Sequence, residues 1–185
     1  MDDAATMSPG ASRPLTAGEL ARLSPGLVQA LGQRGVSPSL LNRAHRAARV
    51  AGLWRGAAPI LARPARIFWP GARKDFADAP PEVFATLQHE LQHLLDYAAG
   101  ALTGTGYLLR PGDWRYGYAL TPASRWADFG AEQRASIAEH LWLMEQGRGD
   151  LVGRALGAAP ASLDVYRSVI PWAMPRDLPP GQAIP

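Results

Sequence analysis

The stretch from residue 80 to residue 100 limits what this chain can fold into. It holds no internal helix breaker, and Val83, Phe84, Leu87, Leu91, Leu94, Leu95 and Ala98 recur as one broad helical stripe. Pro80-Pro81 suits a first helical turn, where a missing N–H has no intrahelical partner to lose, and Gly100 suits the stop after the last turn. The spacing predicts a helix from Pro80-Pro81 to about residue 99, packed inside the protein. That helix also carries His89, Glu90 and His93. Positions four apart stand one turn above each other on the same face. Two imidazoles therefore converge on one point, with a carboxylate beside them.

The pattern is H-E-x-x-H. On a helix it is suited to holding one metal ion between the imidazoles, with the glutamate acting on a metal-bound water. The flanks favour that reading, because Leu91, Gln92, Leu94 and Leu95 are uncharged and bring no competing charge to the ion. The chain has no cysteine and four histidines, His45, His89, His93 and His140. Disulfides, thiolate nucleophiles and Cys-ligated zinc are thereby excluded, and any ion is held by nitrogen and oxygen. Catalytic zinc takes three protein ligands and keeps one position open. Residues 94 to 104 contain no further histidine, which points to a carboxylate from a second helix. Glu132 and Glu139 lie seven apart on one predicted helix face, with the small Ala135 and Ser136 between them. Asp128 and His140 are further alternatives. Asp96, Asp113 and Asp128 are candidates to hold the imidazoles from behind.

His89-Glu90-Leu91-Gln92-His93, followed by Glu132-Gln133-Arg134-Ala135, resembles the zincin pattern of the gluzincin type. There a glutamate with a small residue three positions on completes the site. The chain is more similar still to small bacterial Vgr-related proteins found alongside type VI secretion components. These carry H-E-x-x-H, a Tyr-x-Tyr stretch and an E-Q-x-A-x-I helix; the matching residues here are Tyr116-Gly117-Tyr118 and Glu132 to Ile137. The resemblance runs over residues 60 to 147. It implies Glu132, rather than Glu139, as the third zinc ligand beside His89 and His93. It also implies Tyr116 and Tyr118, with Arg115 adjacent, as donors to a developing oxyanion. The implied activity is zinc-dependent hydrolysis of peptide or amide bonds, Glu90 activating the metal-bound water, on a protein or peptide substrate. The alternative is a non-catalytic zinc-binding accessory protein of a secretion or phage-like apparatus, with a protein of that apparatus as partner.

The length of 185 residues fits one domain, and 47% apolar with 19% charged residues is a soluble globular composition. The expected fold class is α+β, a mostly helical zincin-like domain with a small short-stranded sheet beside the motif helix. Ala65-Arg66-Ile67-Phe68-Trp69 reads as one strand, and the alternation of Tyr116, Tyr118 and Leu120 suggests another. The strand at residues 65 to 69 either stands at the sheet edge above the site, where it would pair with an extended substrate, or only completes the core. Short helices are expected over residues 16 to 34, broken at Ser24-Pro25-Gly26. A longer one is expected from Ser37-Pro38 to about residue 51, carrying His45 on a solvated basic face. Others are expected over residues 129 to 144, 151 to 156 and 162 to 170. Residues 1 to 14 read as a mobile segment, 15 to 170 as the single domain with its core at 56 to 147, and 171 to 185 as a Pro-rich tail. No apolar run approaches a membrane span and no secretory signal is visible, so a cytoplasmic protein, or one exported without a cleaved signal, is expected. The net charge of +3 comes from scattered arginines without a basic block, which argues against nucleic acid as a partner.

Overall fold

Residues 80 to 99 form the helix that their periodicity demands. In the computed structural model, which describes residues 5–46, 59–104 and 110–173, the chain is α+β. Its elements run β1 (Ser12–Pro14), α1 (Ala17–Arg22), α2 (Pro25–Gln33), β2 (Ser39–Leu41), β3 (Leu61–Arg63), β4 (Arg66–Phe68), α3 (Pro81–Ala98), α4 (Ala131–Glu145), α5 (Gly149–Leu156) and α6 (Leu163–Val169). Two short 3-10 turns, Pro111–Trp114 and Trp126–Asp128, lie between α3 and α4.

Helix α3 starts with proline at its first position, and Gly100 follows it with φ of 72°, a left-handed conformation that costs glycine little. Leu87, Leu91 and Leu94 are sealed from solvent on one side. Each buried leucine contributes about 1.5–3 kcal/mol, which helps offset the cost of burying His89, Glu90 and His93 on the other side. Helix α4 lies along α3. Ala135 and Ala138 are fully buried and Ser136 nearly so, and such small side chains let the two helices approach closely. Farther along, the Phe84 and Trp142 rings pack with centroids 4.9 Å apart, and the Arg22 guanidinium sits 4.3 Å over Phe84.

The start of α4 is held by the 3-10 turn Pro111–Trp114. The Ala131 N–H donates to Asp113 Oδ1 at 3.2 Å, and the Gly130 N–H donates to Gln133 Oε1 at 3.0 Å. Gly130 is required there, because a Cβ would stand 2.7 Å from the Gly112 carbonyl oxygen. This close approach fixes the first turn of α4, where Glu132 sits.

The four strands form one sheet in the order β1-β2-β4-β3. β1 and β2 are antiparallel, β2 and β4 parallel, and β4 and β3 antiparallel, with Leu40 opposite Ile67 and Ala62 opposite Ile67. The β3–β4 side of the sheet rests on α3. Leu40 and Ile67 are fully buried between the sheet and the helices.

Two expectations need correction. The helix predicted from Ser37-Pro38 is a strand where it is described: residues 39–41 form β2, and residues 47–58 lie outside the described residues. Pairing on both sides, with Leu40 and Leu41 both buried, overrides the Ser-Pro helix-start signal. The strand expected at Tyr116, Tyr118 and Leu120 does not form. Instead the Gln133 side chain donates to the Gly117 carbonyl at 2.7 Å and holds an irregular segment against α4. The strand read at residues 65–69 forms as β4 in the sheet interior, so of its two readings the one that completes the core holds; among the described residues the edge on the α3 side is β3. Within the N-terminal stretch read as mobile, β1 belongs to the sheet and Met7 is buried. Trp172 is buried at the head of the Pro-rich tail, and residues 174–185 lie outside the described residues.

Candidate metal centre

His89 and His93 project from α3 toward Glu132 in the first turn of α4. His89 Nε2 and His93 Nε2 are 3.2 Å apart, and Glu132 Oε2 is 3.2 Å from the first and 3.4 Å from the second. Ligands bound at about 2.0–2.1 Å around a tetrahedral ion are separated by about 3.3–3.4 Å, the edge of that tetrahedron. The three atoms already stand at that spacing, and His89, His93 and Glu132 form a group able to hold one ion. Two neutral imidazoles and one carboxylate are a donor set that fits a divalent cation.

The group is enclosed without being sealed: His89 is 8% exposed, Glu90 7%, His93 6% and Glu132 5%. Glu90 stands in the field of both histidines and of Glu132, and no hydrogen bond to the described residues holds its carboxylate. Burial pushes its pKa up, against the opposing pull of the His93 and His89 charges. For His89, burial opposes the charged form, but hydrogen bonds to Glu132 and Glu139 outweigh it, and without a metal its pKa is pushed up to about 10. An ion at this site therefore competes with a proton on His89.

Glu139, one of the alternatives for third ligand, lies elsewhere. Its Oε2 accepts from His89 Nδ1 at 3.0 Å, on the far side of the ring from Glu132. His93 Nδ1 is buried with no hydrogen-bond partner among the described residues. The aspartates considered as supports of the imidazoles have other partners. Asp96 accepts from Gln92 at 2.9 Å and from Arg134 at 3.0 Å, which ties α3 to α4; Asp113 caps α4; and Asp128 pairs with Arg125 on the surface. Gln92–Asp96 and Arg125–Asp128 are local pairs four and three residues apart, whereas Arg134–Asp96 and the Asp113 cap carry no sequence signal, because each depends on which elements lie together.

The two tyrosines part company. Tyr116 is exposed, stacks on His89 with ring centroids 6.2 Å apart, and hydrogen-bonds Glu132. Burial of its hydroxyl and the Glu132 carboxylate raise its pKa, so it stays a proton donor. Tyr118 turns away: its hydroxyl bonds His140 Nδ1 and stands 2.8 Å from the Tyr166 hydroxyl. His140 is thereby occupied outside the ligand group. Arg115 is exposed, and His45 packs edge-on against Phe68, away from the centre. A separate cavity of about 660 Å³ between α2, α3 and Trp126 is lined by Gln92, Asp96, Arg134 and Trp172, and is not lined by His89, His93 or Glu132.

Fold and site together define an α+β protein with a buried His-His-Glu group between two packed helices. No protein-family model matches the chain, and no curated protein matches its sequence. Among solved structures it is similar to the effector domain of Pseudomonas aeruginosa VgrG2b, with 18% sequence identity and a TM-score of 0.55, over 82% of this chain and 85% of that one. At that identity the likeness concerns the fold. No described helix is long and apolar enough to cross a membrane.

Proposed function

We propose that the protein is a zinc-dependent hydrolase of peptide or amide bonds, acting as a secretion-associated effector. The observation that carries this reading is the convergence of His89 Nε2, His93 Nε2 and Glu132 Oε2 at the edge lengths of a coordination tetrahedron. Nitrogen and oxygen donors without cysteine suit zinc with one coordination position left open. Bound there, the ion supplies Lewis acidity and a water that ionises near neutral pH.

The chain's own residues supply the rest. Glu90, buried beside these residues and hydrogen-bonded by no other side chain among the described residues, takes a proton from the attacking water as general base and returns it to the leaving amine. Burial raises its pKa, the direction that favours a carboxyl able to donate as well as accept. Tyr116, protonated and next to Glu132, offers a hydroxyl to the developing oxyanion. Tyr118 is the weaker candidate, since its hydroxyl is directed to His140 and Tyr166 rather than to the His89–His93–Glu132 group. The β3 edge beside α3 suits an extended protein or peptide substrate. The resemblance to Vgr-related proteins and the fold likeness to a VgrG effector domain support a role linked to type VI secretion, with a protein of that apparatus as partner.

The test is Glu90→Gln, assayed on unfolded protein and peptide mixtures by mass spectrometry with metal content measured in parallel. The variant is expected to keep stoichiometric zinc and lose turnover by at least about 100-fold. Turnover at the unsubstituted level in this variant overturns the hydrolase reading. Zinc-loaded protein with no turnover on any substrate favours the alternative, an accessory protein that keeps zinc without catalysis.

A further inference from the structure

We propose that Glu139 is a positioning residue that orients His89 and selects its tautomer, and is not a metal ligand. The inference deepens the metalloprotein reading and rests on it. An imidazole presents its two nitrogens in divergent directions, so a group bonded to Nδ1 cannot share an ion bound at Nε2. Glu139 Oε2 lies 3.0 Å from His89 Nδ1, while Glu132 Oε2 and His93 Nε2 both lie 3.2 Å from His89 Nε2. The carboxylate therefore keeps the proton on Nδ1, directs the Nε2 lone pair into the ligand group, and makes that nitrogen more basic.

The two carboxylates reach opposite edges of one ring because they stand seven residues, about two turns, apart on the same face of α4. Ala135 and Ser136 lie between them and leave room for the imidazole-bearing helix. His93 has no such support: its Nδ1 is buried and without a partner among the described residues. The two imidazoles are thus unequal. His89 is held by hydrogen bonding at both ring nitrogens, whereas His93 is engaged only at Nε2 among the described residues, by His89 and Glu132.

The experiment compares zinc affinity, by competition with a chromophoric chelator, and the visible absorption of the cobalt(II)-substituted protein in four chains: unsubstituted, Glu139→Ala, Glu139→Gln and Glu132→Ala. Glu139→Ala is expected to bind zinc about 10–100-fold more weakly and to keep the unsubstituted cobalt spectrum, since the ligand set is intact. Glu139→Gln preserves shape and an acceptor oxygen, so it is expected to recover most of the lost affinity. Glu132→Ala is expected to change the cobalt spectrum itself. Unchanged zinc affinity in Glu139→Ala overturns the positioning role. A spectral change in Glu139→Ala matching that of Glu132→Ala overturns it too, by making Glu139 a ligand. An unsubstituted chain that takes up neither ion removes the metal reading on which the proposal rests, an outcome distinct from the other two.

Discussion

Glu19 and Glu90 are both buried helical carboxylates, yet one is saturated and the other is not. Glu19 accepts from Arg13 Nη1 at 2.8 Å and Nη2 at 2.6 Å, from the Thr16 N–H at 2.7 Å and from the Phe76 N–H at 2.8 Å. It thereby closes the capping box of α1 and ties β1 to the loop before α3. Glu90 has no hydrogen-bond donor among the described residues and faces three other ionisable side chains that converge on one point. A saturated buried charge holds structure together. An unsaturated cluster carries a standing desolvation cost that a ligand can relieve.

The contrast is tested hardest at its saturated end. Glu19→Ala leaves the half-buried Arg13 without its carboxylate partner and two backbone N–H groups without acceptors. A loss of about 3–5 kcal/mol in urea denaturation is expected, with metal uptake retained by the folded fraction. A loss below about 1 kcal/mol would show that Glu19 is no keystone.

At the open end the effect should depend on metal. His93→Ala removes one of the three proposed ligands, so the stabilisation of about 2.7 kcal/mol expected from metal at 100 times its dissociation constant should disappear. A thermal midpoint that still rises with added zinc would show that the ligands are wrongly assigned.

A pH series sharpens the comparison further. In metal-free protein the folded-state pKa of His89 is raised to about 10 from its ordinary 6.5. The stabilising charge is therefore fully present below pH 6.5 and is lost as pH rises through about 10. Stability of the metal-free chain should fall across that window with a slope of at most about 1.4 kcal/mol per pH unit. Metal binding should release protons within it, measurable by calorimetry in buffers of different ionisation enthalpy. A flat stability profile from pH 7 to 10 would contradict the ion pairing of His89.

The smallest expected effect lies outside both regions. Ala65, in the two-residue turn between β3 and β4, has φ of 58°, a left-handed conformation that penalises a side chain. Ala65→Gly is expected to stabilise by roughly 1 kcal/mol in equilibrium unfolding without altering metal affinity.

Helical periodicity made the central features legible. The stripe of Leu87, Leu91 and Leu94 located α3, and the i, i+4 spacing of His89 and His93 placed both imidazoles on one face of it. The resemblance singled out Glu132, and the fold brings that residue beside His89 and His93. Short strands were less legible. Ser39–Leu41 has only three residues, too few for a period to show, and its strand state comes from β1 and β4 on either side. The Tyr116–Leu120 alternation was a local pattern without a ladder partner.

By itself the sequence determined the chemistry on offer: nitrogen and oxygen donors, two histidines one turn apart, and a glutamate between them on a helix bound to be buried. Those properties are local, set by helix geometry and side-chain type. Only the tertiary structure decided how the remaining groups divide their roles. It placed Glu132 on the Nε2 side of His89 and Glu139 on the Nδ1 side, set Tyr116 against the site, and turned Tyr118 to His140. Residues equally spaced along α4 acquire different roles because each meets a different atom of the helix packed against it.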